Sequence, residues 1–67
     1  MHISYNKLWK MLIDKGMNKH DLAEKSDVSS ASIAKLSKGA NITTDVLLKI
    51  CTAMGCHIED ILETIDD

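Results

Sequence analysis

Leu22-Ala23-Glu24-Lys25-Ser26-Asp27-Val28-Ser29-Ser30-Ala31-Ser32-Ile33-Ala34-Lys35-Leu36-Ser37-Lys38-Gly39 reads as two short helices joined by a tight turn. At 100° per residue, Ser29, Ile33 and Leu36 fall on one side of the second helix, and Ala31, Ala34, Lys35 and Lys38 on the other. One face is core and the other is open. The turn needs one residue at positive φ, and Asp27 stands there, one of the few non-glycine residues that tolerate it. Ser29 then caps the second helix and Gly39 terminates it.

The open face combines side chains too small to obstruct a groove with two long cations three residues apart. That chemistry suits the DNA major groove, which is about 12 Å wide and flanked by phosphates. Two helices of this kind around a tight turn form the helix-turn-helix arrangement that reaches base edges. The plainer reading of the same face is a solvated helix surface. The rest of the chain decides between them.

Working outward, further helices can be drawn with a reason for each boundary. A first helix spans Ser4 to Lys15, with Ser4 as its cap and Gly16 as its end. Its apolar residues Tyr5, Leu8, Trp9, Met11, Leu12 and Ile13 cover an arc of about 200°, wider than one buried stripe requires. Asn18 opens the second helix, and the small Ala23 lets the two motif helices approach closely. Thr43 caps a fourth helix, whose Val46, Leu47, Leu48, Ile50, Cys51, Ala53 and Met54 go nearly all round it before Gly55. A fifth is expected from Cys56 or His57 onward, because Ile58, Ile61, Leu62 and Ile65 recur at i, i+3, i+4, i+7. The expectation is an all-α, five-helix bundle forming one domain over residues 1–67.

At 67 residues such a domain buries about 60% of its unfolded surface and gains roughly 3–10 kcal/mol. The net charge of −2 argues at first against a nucleic-acid partner. Its distribution argues the other way: five of the ten acids (Glu59, Asp60, Glu63, Asp66, Asp67) lie in the last nine residues, leaving eight lysines against five acids before them. Cys51 and Cys56, beside His57, lack the second ligand pair that a zinc site needs, so no metal or other cofactor is expected. No signal-peptide pattern or long apolar run is visible, which leads to the expectation of a cytoplasmic protein with free thiols, without a membrane association. His2, His20 and His57 are scattered, and a small helical bundle offers little room for a dry catalytic pocket, so neither an enzyme nor a small-molecule substrate is expected.

The pattern closely resembles the phage-repressor type (Cro/cI, XRE-like) helix-turn-helix domains over essentially the whole chain. The residues that carry the resemblance are Leu22-Ala23, Val28-Ser29, Ile33, Leu36, Gly39 and Thr43-Thr44-Asp45-Val46-Leu47-Leu48-Lys49-Ile50. The resemblance implies that the third helix enters the major groove and the start of the second sits on the backbone. Carried over by position, Asn18 and Lys19 would meet phosphate, Ser30 and Ala31 would face base edges with Lys35 one turn on, and Lys38 and Asn41 would contact the backbone. Ser29 and Ala34 complete the expected DNA-facing set. The sequence departs from the pattern in having no arginine, so the bidentate fork onto guanine is absent. Ala31 also offers an apolar contact where related proteins often carry a longer polar side chain.

The function implied is a double-stranded-DNA-binding transcriptional regulator, a repressor that occupies an operator. The competing expectation is a protein-interaction module, an adaptor or antitoxin-like protein with the same fold. The wide apolar arc of the first helix and the stripe of the last point to a homodimer, with Trp9, Ile13, Ile61 and Ile65 as candidate contacts if they are not core.

Overall fold

Short-range chemistry sets the helix boundaries in the computed structural model, which describes residues 1–67. Asn18 and Asp21 form a reciprocal capping box: the Asn18 Oδ1 accepts from the Asp21 N–H at 2.8 Å, and the Asp21 Oδ2 accepts from the Asn18 N–H at 3.1 Å. Helix α2 (Lys19–Ser26) starts there and stops at Asp27, whose φ of 57° reverses the chain. The Val28 N–H then returns to the Ala23 carbonyl at 3.1 Å. Ser29 caps α3 (Ser30–Ser37) by accepting from the Ser32 N–H, and the chain leaves it through Gly39 at φ 71°. Thr43 caps α4 (Thr44–Met54) through the Val46 N–H, and Gly55 closes it at φ 67°.

Helix α1 (Asn6–Asp14) begins two residues later than the sequence suggests, with Tyr5 at the cap position and no side-chain cap. Ser4 belongs instead to a short strand, β1 (His2–Ser4), although its Oγ still accepts from the Asn6 N–H at 3.3 Å. The expected fifth helix is absent. Residues Ile58–Asp60 make one 3-10 turn, and Glu63–Ile65 form a second strand, β2. It pairs antiparallel with β1 in the register His2↔Ile65, Ile3↔Thr64, Ser4↔Glu63. The fold is therefore mostly helical, with four α-helices rather than five and a small two-stranded sheet.

The physical reason lies in the partner that β1 offers: the β-branched Ile3, Thr64 and Ile65 favour an extended chain once a partner strand is near. The apolar spacing is met another way: Ile61 is fully buried, while Ile58, Leu62 and Ile65 are half-buried.

The core is one cluster drawn from every helix: Leu8 and Leu12, Leu22 and Ala23, Ile33 and Leu36, then Leu47, Ile50, Cys51 and Met54, joined by Val28 and Ile61. Burial of each large side chain here contributes about 1.5–3 kcal/mol. The one buried polar side chain, Ser26, donates to the Leu22 carbonyl at 2.6 Å and so costs little. Helix α4 is not buried all round as its composition suggests, because Leu48 is 53% exposed. Cys51 is buried and Cys56 half-buried, both as free thiols; burial and the neighbouring Cys51 push the Cys56 thiol pKa upward. No helix is long and apolar enough to cross a membrane.

Candidate nucleic-acid interface

Burial of Ile33 and Leu36 fixes the rotation of α3 about its axis. The opposite side therefore carries Ser30, Ala31, Ala34, Lys35 and Lys38, all exposed. Ser29 is exposed too, rather than on the core side, and its Oγ is engaged with Ser32 through the backbone N–H at 3.2 Å and the hydroxyl at 3.0 Å. Its role is thus to begin the helix. None of the eight lysines forms a salt bridge; the close carboxylate contacts are made by the N-terminal ammonium and by histidine rings. The positive charge on α3 is consequently not neutralised within the fold.

An open cleft runs between the start of α2 and the outer side of α3, lined by Lys19, His20, Ser30, Ile33, Ala34, Ser37 and Lys38. It gathers Lys19, Ser30, Ala34 and Lys38 of the expected set. Asn18 stands at the α2 terminus, its Oδ1 committed to the capping box. Lys35 is on the same exposed side of α3, outside the cleft lining. Asn41 lies beyond the helix, in a separate groove between β1 and the α3–α4 connection that it shares with His2, Ile3 and Lys38.

Two cleft residues escape the sequence reading. His20 occupies the first turn of α2, and its Nε2 lies 2.8 Å from the Glu24 Oε1, with both side chains about three-quarters exposed. The i, i+4 spacing of His20 and Glu24 is the signal that could have found this pair. Ser37 donates to the Ile33 carbonyl at 3.2 Å. Lys19 is also held in an unforeseen way, with its Nζ 4.8 Å from the centroid of the Trp9 ring.

The candidate dimer residues separate. Ile61 is fully buried and belongs to the core, which removes it as a partner contact. Ile65 is half-buried in β2, and Trp9 half-buried against the core, while Ile13 is 76% exposed. Near the C-terminus, His57, Glu59 and Asp60 gather on the surface, but the Asp60 Oδ2 is already taken by the His57 N–H at 2.9 Å.

A four-helix domain whose α2 and α3 meet through a left-handed turn, with a cationic open face on α3, is a helix-turn-helix domain of the nucleic-acid-binding kind. The chain belongs to the Cro/C1-type HTH DNA-binding domain family, whose model matches residues 7–67. It is similar to a solved structure described as the crystal structure of transcriptional regulator VanUg, Form II. The two share 45% sequence identity and a TM-score of 0.90, over 98% of this chain and 88% of the other. No curated protein matches the sequence.

Proposed function

We propose that this protein is a sequence-specific double-stranded-DNA-binding transcriptional regulator that lays α3 in the major groove and represses by occupying an operator. The observation that carries the reading is the exposed side of α3, with Ala31, Ala34, Lys35 and Lys38 outward and no carboxylate paired to either lysine. Small residues allow close approach to the base edges, and the unpaired ammonium groups meet the phosphates or guanine acceptors. The similarity to a structure described as a transcriptional regulator supports the regulatory role. Lys35 and Ala31 read bases; Asn18, Lys19, Lys38 and Asn41 position the domain on the backbone.

A homodimer fits this reading, because a two-fold axis sets paired recognition helices about 34 Å apart, one turn of duplex. Ile13, exposed beside Trp9, is the apolar residue that a second copy would cover. Ile13→Glu then lowers the sedimentation coefficient without unfolding the chain.

Selection from random duplex DNA tests the main reading. Enrichment of one motif is expected, with affinity that falls steeply from low to moderate salt as counterions are released. Lys35→Ala and Lys19→Ala both weaken binding, and only the first relaxes base preference. If no duplex enriches and neither substitution matters, the protein-interaction reading replaces this one.

A further inference from the structure

We propose that Trp9 is a positioning residue for DNA binding: its ring seats the Lys19 ammonium at the edge of the α2/α3 cleft, aimed at a backbone phosphate. The inference rests on the DNA-facing assignment of α3 and adds to it a residue from α1, half-buried against the core.

Three observations converge. The Lys19 Nζ stands 4.8 Å from the Trp9 ring centroid, within the roughly 6 Å over which a ring face attracts a cation. Trp9 is half-buried and packed against the core cluster, so the seat is fixed while Lys19 itself is exposed. Lys19 lies on the boundary between two surface grooves, one containing Trp9, Ile13 and Met17, the other containing Ser30, Ala34 and Lys38 of α3. A lysine on that boundary can lean on the first groove and present its N–H groups to a strand lying across the second.

The chemistry of the contact leaves Lys19 available. A ring face attracts the ammonium electrostatically without accepting all three N–H donors, and those pointing away from the ring stay free for phosphate oxygens. No carboxylate competes for the ammonium: Lys19 is in no ion pair, and the nearby Asp21 uses its Oδ2 to accept from the Asn18 N–H. An unseated lysine would have to be ordered from many rotamers when DNA arrives, and the ring performs that ordering beforehand.

The test is a double-mutant cycle on binding to a short random-sequence duplex at low salt, where phosphate contacts dominate. Lys19→Met is expected to weaken binding roughly fivefold and to reduce the slope of log K against log salt by about 0.9, the signature of one lost phosphate contact. Trp9→Leu gives a similar loss of affinity and slope, Trp9→Phe restores most of both, and Trp9→Leu combined with Lys19→Met is no worse than Lys19→Met alone. A merely structural role for Trp9 would lower thermal stability without changing the salt slope. Trp9 is the only tryptophan, so the folded Lys19→Met protein gives a second reading: DNA changes the emission of the parent protein and not that of this variant.

The proposal is overturned if the two affinity losses multiply, if Trp9→Leu tightens binding, or if the DNA-induced emission change survives Lys19→Met. Lys35→Ala and Lys38→Ala serve as controls. If these also leave binding unchanged, the DNA-facing assignment of α3 is what fails, whereas normal losses there with no effect at Trp9 remove the positioning role alone.

Discussion

Asp27 carries the turn between α2 and α3 at φ 57°, where a Cβ is normally unwelcome. A short polar side chain eases this conformation and alanine does not. Asp27→Ala should therefore lose about 1 kcal/mol, whereas Asp27→Gly should hold stability or gain slightly; equal losses for both in urea melts would contradict the account. A second prediction concerns Glu24, whose carboxylate lies 2.8 Å from His20 beside the proposed DNA path. It repels phosphate and holds a ring N–H that phosphate could use. Replacing its charge in Glu24→Gln should tighten duplex binding two- to threefold, about 0.5 kcal/mol at solvent-like dielectric, an effect that shrinks as salt is raised. At this scale the sequence was most readable: the caps at Asn18, Ser29 and Thr43 and the left-handed Asp27 follow from interactions spanning three or four residues. The place of His20 in the cleft and the Trp9–Lys19 contact are not legible there, because each depends on how helices are placed relative to one another, whereas the His20–Glu24 pair lies within α2 at i, i+4 spacing.

Among the elements, the helix-turn-helix was legible and the last segment was not. For α3 the reading needed only the buried positions Ile33 and Leu36, which fix the opposite face whatever packs against them. The i, i+3, i+4, i+7 spacing of Ile58, Ile61, Leu62 and Ile65 obeys the same periodicity, yet the backbone makes one 3-10 turn and a strand. What local patterning could not reveal was β1, whose partner lies at the far end of the sequence. The difference has an energetic consequence. A buried-core role for Ile61 predicts that Ile61→Ala costs about 2–5 kcal/mol, while Ile65→Ala, half-buried on the strand, costs less. Denaturant midpoints of the two variants check this, and equal small effects would restore Ile61 to the surface.

For the molecule as a whole, the net charge of −2 conceals an arrangement by region. The five acids of the last nine residues occupy the 3-10 turn, β2 and the C-terminal end, and Asp67 reaches back to His2, its Oδ1 2.7 Å from the ring Nδ1. The α3 lysines remain without carboxylate partners. Total charge therefore gives little indication of affinity for a polyanion, and under the proposed DNA-facing assignment the local field of α3 governs encounter. The expected outcome is measurable binding to duplex DNA at low salt despite the acidic isoelectric point. Removing the acids at Asp66 and Asp67 (D66N with D67N) should change the low-salt association rate by less than Lys38→Ala does, as stopped-flow measurements at several salt concentrations would show.

The pairing of His2 with Ile65 also shapes how the chain reaches its native state. The helical hairpin of α2 and α3 closes through near neighbours, but the ladder must bring together opposite ends of the polymer, a search with the largest loop-closure entropy this topology contains. The sheet is thus the last piece to assemble and the first to open. Native-state hydrogen exchange should find the amides of β1 and β2 escaping through local fraying while those of α2 and α3 wait for global unfolding.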